Sequence, residues 1–196
     1  MKKALFLPVI LLAINSMCTA QGPLTSAQAP QPSAPASLPS AATVMEKAFS
    51  QAKKEHKQVL LIFHASWCGW CRKMEASIND ADCKKLFNDN YVITYLDVLE
   101  NKGKEDLENP GSMDLLTKYK GEKAGLPFWV IVDPKGNLLA DSQIRPSGKG
   151  LDAPGENTGC PSQPNEVTFF GGVLKNTSQL TDAELSVIEQ RFLKNQ

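Results

Sequence analysis

The chain has 196 residues, of which 42% are hydrophobic, and its 21 basic side chains balance 21 acidic ones. This length fits one medium-sized domain with appendages and supplies enough apolar material for a core. A net charge of zero gives no electrostatic reason to expect nucleic acid or an anionic membrane surface as a partner.

Residues 1–20 have the pattern of an export signal. Lys2 and Lys3 precede an apolar stretch over residues 4–14, and small residues stand just before Gln21. The stretch is too short and interrupted to make a good membrane-spanning helix. We therefore expect export to the periplasm, an oxidising compartment in which paired cysteines rest as disulfides.

Cys18 offers a second interpretation, in which the exported protein carries a lipid anchor on this cysteine. A bacterial lipoprotein signal has a small residue just before that cysteine and usually a leucine three residues before it. This chain has Met17 and Asn15 at those positions, so we favour cleavage without an anchor. Residues 21–42, rich in Ala, Pro, Ser and Gln, predict a disordered linker because they bury too little apolar surface to offset their ordering entropy.

A folded domain is predicted over residues 43–196. Its first helix begins with Thr43 as N-cap and Glu46 completing a capping box, and Asp82 is the expected N-cap of a short third helix. A second capping box, from Thr181 to Glu184, starts the last helix.

Apolar and β-branched runs predict strands that alternate with helices. The strands lie at residues 59–63, 91–98, 128–133 and, after a turn, 138–144; further helices lie at 83–88, 112–120 and 164–175; loops fill 100–111 and 145–164. This order implies a parallel strand pair joined by a right-handed crossover, to which a hairpin adds antiparallel strands.

The motif Trp67-Cys68-Gly69-Trp70-Cys71 stands between the first predicted strand and a helix-like stretch. Two thiols separated by two residues at a helix start can close a small disulfide ring reversibly, and a helix N-terminus lowers the pKa of a thiol placed there. This arrangement is typical of a dithiol redox site. We expect an accessible, partly ionised Cys68 that exchanges thiols with disulfides, flanked by the two tryptophans.

The Cys-x-x-Cys pair has three other interpretations. Zinc would need a second cysteine pair or spaced histidines, and His56 and His64 are not spaced in that way. Covalent haem attachment needs histidine after the second cysteine, where this chain has Arg72. A purely structural disulfide remains as an alternative. The sequence thus indicates no metal and no cofactor.

The order of elements, the Trp-Cys-x-x-Cys entry and Gly125-Leu126-Pro127 before a buried strand resemble the thioredoxin superfamily over roughly residues 43–144. The likeness is strongest to exported members such as the periplasmic C-terminal domain of transmembrane thiol:disulfide interchange proteins. It implies an α/β thioredoxin-like fold with a central mixed sheet flanked by helices, extended by a C-terminal loop and helix over residues 145–196.

By this resemblance Cys68 is the attacking thiol, Cys71 the resolving thiol and Pro127 a cis proline facing them. Leu126 is implied to offer its backbone to an extended substrate, beside Trp67, Gly69 and Trp70. The implied activity is an exported thiol:disulfide oxidoreductase acting on periplasmic protein thiols and disulfides, with reduction slightly favoured, a monomeric state and a membrane-embedded electron donor as a candidate partner. The alternative is a non-catalytic scaffold that binds partners through the tryptophan surface.

Two residues depart from the family pattern, one of them Ala76, which stands where many thioredoxins carry a proline five residues after the second cysteine. Ile62 stands where many thioredoxins bury an acidic residue in the strand before the site. Glu75 lies on the same helical face as the cysteines and could replace that acid, but a surface carboxylate is the commoner state for glutamate. We also expect His64 to be a half-buried strand histidine.

Cys83 and Cys160 raise the number of cysteines after the export signal to four. One interpretation pairs them in a structural disulfide that ties the distal loop to the domain. A second leaves two buried free thiols. A third makes Cys83 an auxiliary redox thiol.

Overall fold

A computed structural model describes residues 38–196; the predicted export signal, Cys18 and the predicted linker up to residue 37 lie outside this range. Helix α1 (Ala41–Glu55) begins after Ser40, whose side-chain oxygen accepts a hydrogen bond from the Thr43 amide at 3.2 Å. The prediction of Thr43 as N-cap was therefore wrong by one turn, because Ser40 offers the same hydroxyl from an extended backbone three residues earlier.

A four-stranded mixed sheet forms the centre of the fold. Strand β1 (Gln58–His64) pairs in parallel with β2 (Tyr91–Asp97) and antiparallel with β3 (Phe128–Val132). Strand β4 (Leu138–Asp141) follows β3 in a hairpin, so that the spatial order is β2-β1-β3-β4. The predicted combination of a parallel pair with an antiparallel hairpin is confirmed.

Within residues 38–196, five further helices flank the sheet: α2 (Gly69–Ile78), α3 (Lys84–Asn90), α4 (Ser112–Lys118), α5 (Pro164–Thr177) and α6 (Asp182–Leu193), with one 3-10 turn at Glu105–Leu107. Helix α6 begins at the predicted capping box. The N-cap of α3 is Cys83 rather than Asp82, whose amide instead donates to the Asp80 carboxylate. Over residues 38–196, no helix combines the length and apolar character needed to cross a membrane.

Strand β1 is buried on both faces because its alternate residues enter two different cores. Leu60 and Ile62 join a cluster with residues of α2, α3, α5 and α6, including Phe170. Val59, Leu61 and Phe63 join a second cluster with α1 and α4. The period of two residues in a strand thus explains why this run is apolar throughout. Helices on both sides of the sheet give the predicted α/β class.

The predicted strand over residues 138–144 is split, which corrects the sequence-based prediction. β4 ends at Asp141, and β5 (Gln143–Ile144) pairs with β6 (Glu156–Asn157) in a second, two-stranded sheet. Buried Asp141 causes the break, since its carboxylate accepts hydrogen bonds from the Gln143 amide at 2.9 Å and from the Arg145 Nη2 at 2.6 Å. We call residues 143–160 the accessory arm; most of it was predicted to be loop.

The Arg145 guanidinium ties together several parts of the accessory arm. Arg145 donates through Nε to the Ala153 carbonyl at 2.7 Å and through Nη2 to the Leu151 carbonyl at 3.2 Å, besides its pairing with Asp141. Only 7% of the Arg145 side chain and 1% of the Asp141 side chain are exposed. The hydrogen bond to Asp141 raises the pKa of Arg145 above its ordinary value although burial lowers it. The arm is therefore a fixed part of the fold.

Replacing Arg145 by Met should lower the free energy of unfolding by about 3–5 kcal/mol, because it leaves the Asp141 charge buried without a partner. Urea unfolding measures this loss. The matched control is Lys175→Met, which breaks an exposed ion pair with Asp182 and should cost no more than about 1 kcal/mol. Equal losses for the two variants would contradict the role given to Arg145.

Candidate dithiol site

The two cysteines of the central motif lie at the start of α2. Cys68 is the N-cap residue of that helix, and its sulfur accepts a hydrogen bond from the Cys71 amide at 3.1 Å. Cys68 and Cys71 form a disulfide with a Cα–Cα distance of 5.3 Å. A sulfur at this position receives backbone N–H groups and the positive end of the helix dipole, which favour a thiolate over a thiol.

The Gly125-Leu126-Pro127 segment meets the dithiol, as the sequence resemblance implied. The Leu126–Pro127 peptide bond is cis, which confirms that prediction. The two motifs, far apart in the chain, come together because β1 and β3 run antiparallel with Phe63 opposite Phe128. The end of β1 and the start of β3 therefore share one edge of the sheet. We call residues 124–127 the proline loop.

The prediction of an accessible Cys68 sulfur was wrong for this disulfide state. Cys68 is 2% exposed and Cys71 6% exposed, and together with Ala65 they form a small cluster of their own. The half-buried Leu126 side chain packs against this cluster. The pair is separate from the two main cores, so a single leucine of the proline loop, rather than a core, covers it on that side.

Both tryptophans of the motif are exposed, Trp67 by 49% and Trp70 by 46%. Trp67 is fixed by a hydrogen bond from its indole Nε1 to the Leu99 carbonyl at 2.8 Å. The Lys73 ammonium lies 4.1 Å from the centre of the Trp70 ring and donates to the Asn195 carbonyl at 2.9 Å. The Trp67 and Trp70 rings thus form two fixed apolar surfaces next to the disulfide.

The turn between β1 and α2 has polar anchors that sequence reasoning missed. The Glu100 carboxylate accepts from the Ser66 hydroxyl at 2.7 Å and also from the Ser66 amide, while Arg72 Nη1 donates to the Ser66 carbonyl at 3.1 Å. Burial raises the pKa of Glu100, but the hydrogen bonds from Ser66 outweigh it and hold the pKa below its ordinary value. Glu100 was assigned to a polar inserted loop, where no pattern distinguishes it from its neighbours.

Glu75 and His64 are the two acid–base candidates near the site. Glu75 is exposed, which confirms its interpretation as a surface carboxylate. His64 is half-buried as expected, with its Nε2 atom 3.2 Å from Asp97 Oδ1, because the parallel register of β1 and β2 places these residues side by side. Burial raises the pKa of Asp97, and the neighbouring His64 opposes that rise.

The structural disulfide suggested between Cys83 and Cys160 does not form, which corrects that interpretation. Both residues are buried free cysteines, as the second interpretation held. Cys83 is enclosed in the core that contains Phe87, and the Asn195 Nδ2 atom lies 3.4 Å from the Cys160 sulfur. Burial raises the pKa of the Cys83 thiol to about 11 and that of Cys160 to about 12. Within the described residues, no group of three His, Cys, Asp or Glu side chains is placed to hold a metal ion.

A mixed sheet whose central strand delivers a Cys-x-x-Cys pair to a helix start, opposite a cis-proline loop, defines a thioredoxin-like dithiol protein. Residues 41–134 match a family model described as thioredoxin-like. This stretch, 94 of the 196 residues, is thioredoxin-like.

Known relatives carry names from the same chemistry. The chain is 27% identical over 104 residues to the disulfide bond reductase DsbH of Chlamydia pneumoniae, covering 52% of this chain and 61% of that protein. It is 33% identical over 86 residues to bovine protein disulfide-isomerase A5, covering 42% of this chain but only 16% of the relative. In neither comparison does the matched segment reach two thirds of the relative's length. A solved disulphide isomerase from Xylella fastidiosa is 24% identical, with a TM-score of 0.44 and coverage of 59% of this chain and 80% of that one.

In the reduced, folded protein at mildly alkaline pH, a maleimide reagent should modify Cys68 and leave Cys83 and Cys160 untouched. Their raised pKa values keep both buried thiols protonated, and the thiolate is the reactive form. Mass spectrometry of the labelled peptides measures the order of modification. Both should react once urea unfolds the chain; labelling of either before Cys68 in the folded protein would contradict the assignment.

Proposed function

We propose that this protein is an exported thiol:disulfide oxidoreductase that exchanges disulfides with protein substrates through Cys68 and Cys71, with reduction favoured. The observation that carries the proposal is the Cys68–Cys71 disulfide at the N-terminus of α2, opposite the proline loop. The names of the reductase and isomerase relatives support the reaction class. The predicted export signal supports a periplasmic location.

In the reduced enzyme, the Cys68 thiolate attacks one sulfur of a substrate disulfide. The substrate S–S bond breaks, its other sulfur leaves as a thiolate, and Cys68 is joined to the substrate as a mixed disulfide. Cys71 then loses its proton and attacks the Cys68 sulfur, which releases the second substrate sulfur and closes the Cys68–Cys71 bond. Two electrons pass to the substrate; Cys71 gives up one proton, and solvent supplies the other, which Cys68 had lost on ionising.

The hydrogen bond from the Cys71 amide to the Cys68 sulfur supports the choice of Cys68 as nucleophile. A backbone donor stabilises the thiolate that attacks and that later leaves. No buried carboxylate is available at Ile62, which lies in the core, and Glu75 is exposed. We infer that water or the departing substrate thiolate accepts the proton of Cys71.

A protein substrate reaches the sulfur pair by displacing the Leu126 side chain, which packs against it. Trp67 and Trp70 supply the apolar surface on which an extended substrate segment docks, and the backbones of Gly69, Leu126 and Pro127 border the same place. Each cycle leaves the enzyme oxidised, so a reducing partner is required. A membrane-embedded electron donor acting on a monomeric enzyme fits this requirement.

A second candidate function is a non-catalytic scaffold that binds a partner through the two tryptophans. The deep burial of Cys68 favours it, since a disulfide that no substrate reaches would serve only to hold the fold. The two candidates differ in whether the thiols are needed.

Reduction of insulin disulfides in the presence of dithiothreitol separates them. The wild-type protein should accelerate the reaction, and Cys68→Ser should fall to the rate of dithiothreitol alone because the nucleophile is missing. Cys83→Ala, which removes a buried thiol away from the pair, should keep the wild-type rate. Equal rates for wild type and Cys68→Ser would rule out the oxidoreductase.

Cys71→Ala should accumulate mixed disulfides with protein partners, since nothing then resolves the bond to Cys68. Non-reducing electrophoresis of extracts from cells that export the variant detects these adducts, and adding reductant should remove them. The matched control is the double variant Cys68→Ser with Cys71→Ala, which should trap nothing. A double variant that retains full function in cells would instead support the scaffold.

A further inference from the structure

A groove with a volume of about 270 Å³ lies beside the motif, between α2, the proline loop and the accessory arm. Trp70 and Leu126 line one part of it, and Asn157 and Glu166 line another. The accessory arm thus reaches the place where a substrate segment is proposed to dock. Nothing in the sequence motifs assigned a role to this arm.

Asn157, at the end of β6, is the residue through which the arm holds the proline loop. Its side-chain Nδ2 atom lies 3.0 Å from the Ala124 carbonyl oxygen, 3.3 Å from that of Gly125 and 3.2 Å from that of Pro127. The two amide hydrogens are therefore shared among three carbonyls on both sides of Leu126. Few side chains present two such donors from one atom.

The segment that follows Asn157 supports the loop from behind. The Asn157 Oδ1 atom accepts a hydrogen bond from the Gly159 amide at 3.2 Å, and the Gly159 carbonyl accepts one from Trp129 Nε1 at 2.9 Å. A Cβ atom at Gly159 would lie only 3.6 Å from the Pro127 ring. The arm and the proline are thus in close contact.

The base of this tether is rigid. Gln143 pairs with Asn157 across the two-stranded sheet, and the Thr158 amide donates to the Ser142 carbonyl at 2.8 Å. The buried Asp141–Arg145 pair fixes the arm to the end of β4. Asn157 therefore acts from a fixed support, so its hydrogen bonds limit the movement of the proline loop rather than following it.

We propose that Asn157 is a positioning residue, which holds Leu126 over the Cys68–Cys71 pair and keeps the proline loop in the shape that a substrate segment meets. The expected effect of Asn157 on turnover rests on the proposed function. The expected effect of Asn157 on access to Cys68 does not depend on turnover.

Releasing the proline loop should change two rates in opposite directions: alkylation of Cys68 and exchange with a protein disulfide. Releasing the loop uncovers Cys68, so a small alkylating reagent should reach it more often. The same release disorders the surface that a protein substrate needs, so exchange with a protein disulfide should slow. A residue that merely stabilises the fold would not separate the two rates.

The test compares Asn157→Ala with wild type in the full chain. Alkylation of Cys68 by iodoacetamide in the reduced protein, followed across pH to its plateau, should become about threefold to tenfold faster, the range expected for losing one or two neutral hydrogen bonds. The kcat/KM for insulin reduction should fall by a similar factor.

The matched control is Gln143→Ala in the paired strand. Its side-chain amide donates to the Lys120 carbonyl and accepts from the Gly155 amide, but it makes no hydrogen bond to the proline loop, so both rates should remain those of wild type. In a Leu126→Ala background, Asn157→Ala should add little to the alkylation rate, because the cover through which it acts is already gone.

Unchanged alkylation in Asn157→Ala, or an equal change in Gln143→Ala, would overturn the proposal. So would additive effects of Asn157→Ala and Leu126→Ala. If Asn157→Ala does not fold, Asn157→Ser gives the same readings with a shorter donor. A wild-type protein that fails to reduce insulin would refute the proposed function alone, since the alkylation rates would still decide the role of Asn157.

Discussion

The pairing of β1 along both of its edges is the constraint on which the site depends. Its parallel neighbour β2 places Asp97 beside His64, and its antiparallel neighbour β3 places Phe128 beside Phe63. Because β1 is also buried on both faces, its direction and register have little freedom. The disulfide after β1 and the proline loop before β3 must then meet at the same edge of the sheet.

At that edge the fold both stabilises the Cys68 thiolate and buries the sulfur pair. The Cys68 sulfur accepts a hydrogen bond from the Cys71 amide at the start of α2, and this bond favours the thiolate form of Cys68. Both cysteines are nevertheless almost fully buried, and Leu126 packs against them. The cover comes from a loop rather than from a core element, and Asn157 holds that loop through its carbonyls. Reactivity and access are therefore controlled by different parts of the molecule.

The features that sequence predicted well share a local cause. A few consecutive residues determine each of three features: the apolar run of β1, the capping box at Thr181 and the Cys-x-x-Cys pair at a helix start. The cis bond before Pro127 was predicted only through the family resemblance, since an X-Pro sequence alone favours trans.

The features that sequence missed depend on residues far apart in the chain. Glu100 holds Ser66 across 34 positions, and Asn157 holds the proline loop across about 30. Single polar residues in a loop have no periodicity that could indicate such contacts. The exposure of Cys68 was misjudged for the same reason, since the position of Leu126 over it follows from the tertiary fold.

The C-terminal extension has a consequence for the boundaries of the folded unit. Trp129 of β3 packs edge-on against Phe170 with ring centres 5.2 Å apart, and Phe170 packs on Phe192 at 5.0 Å. Phe170 and Phe192 come from beyond residue 134, where the match to the family model ends. A fragment cut at that limit would expose the part of the central sheet that α5 and α6 cover. The smallest autonomous folding unit of this protein is accordingly larger than its family signature.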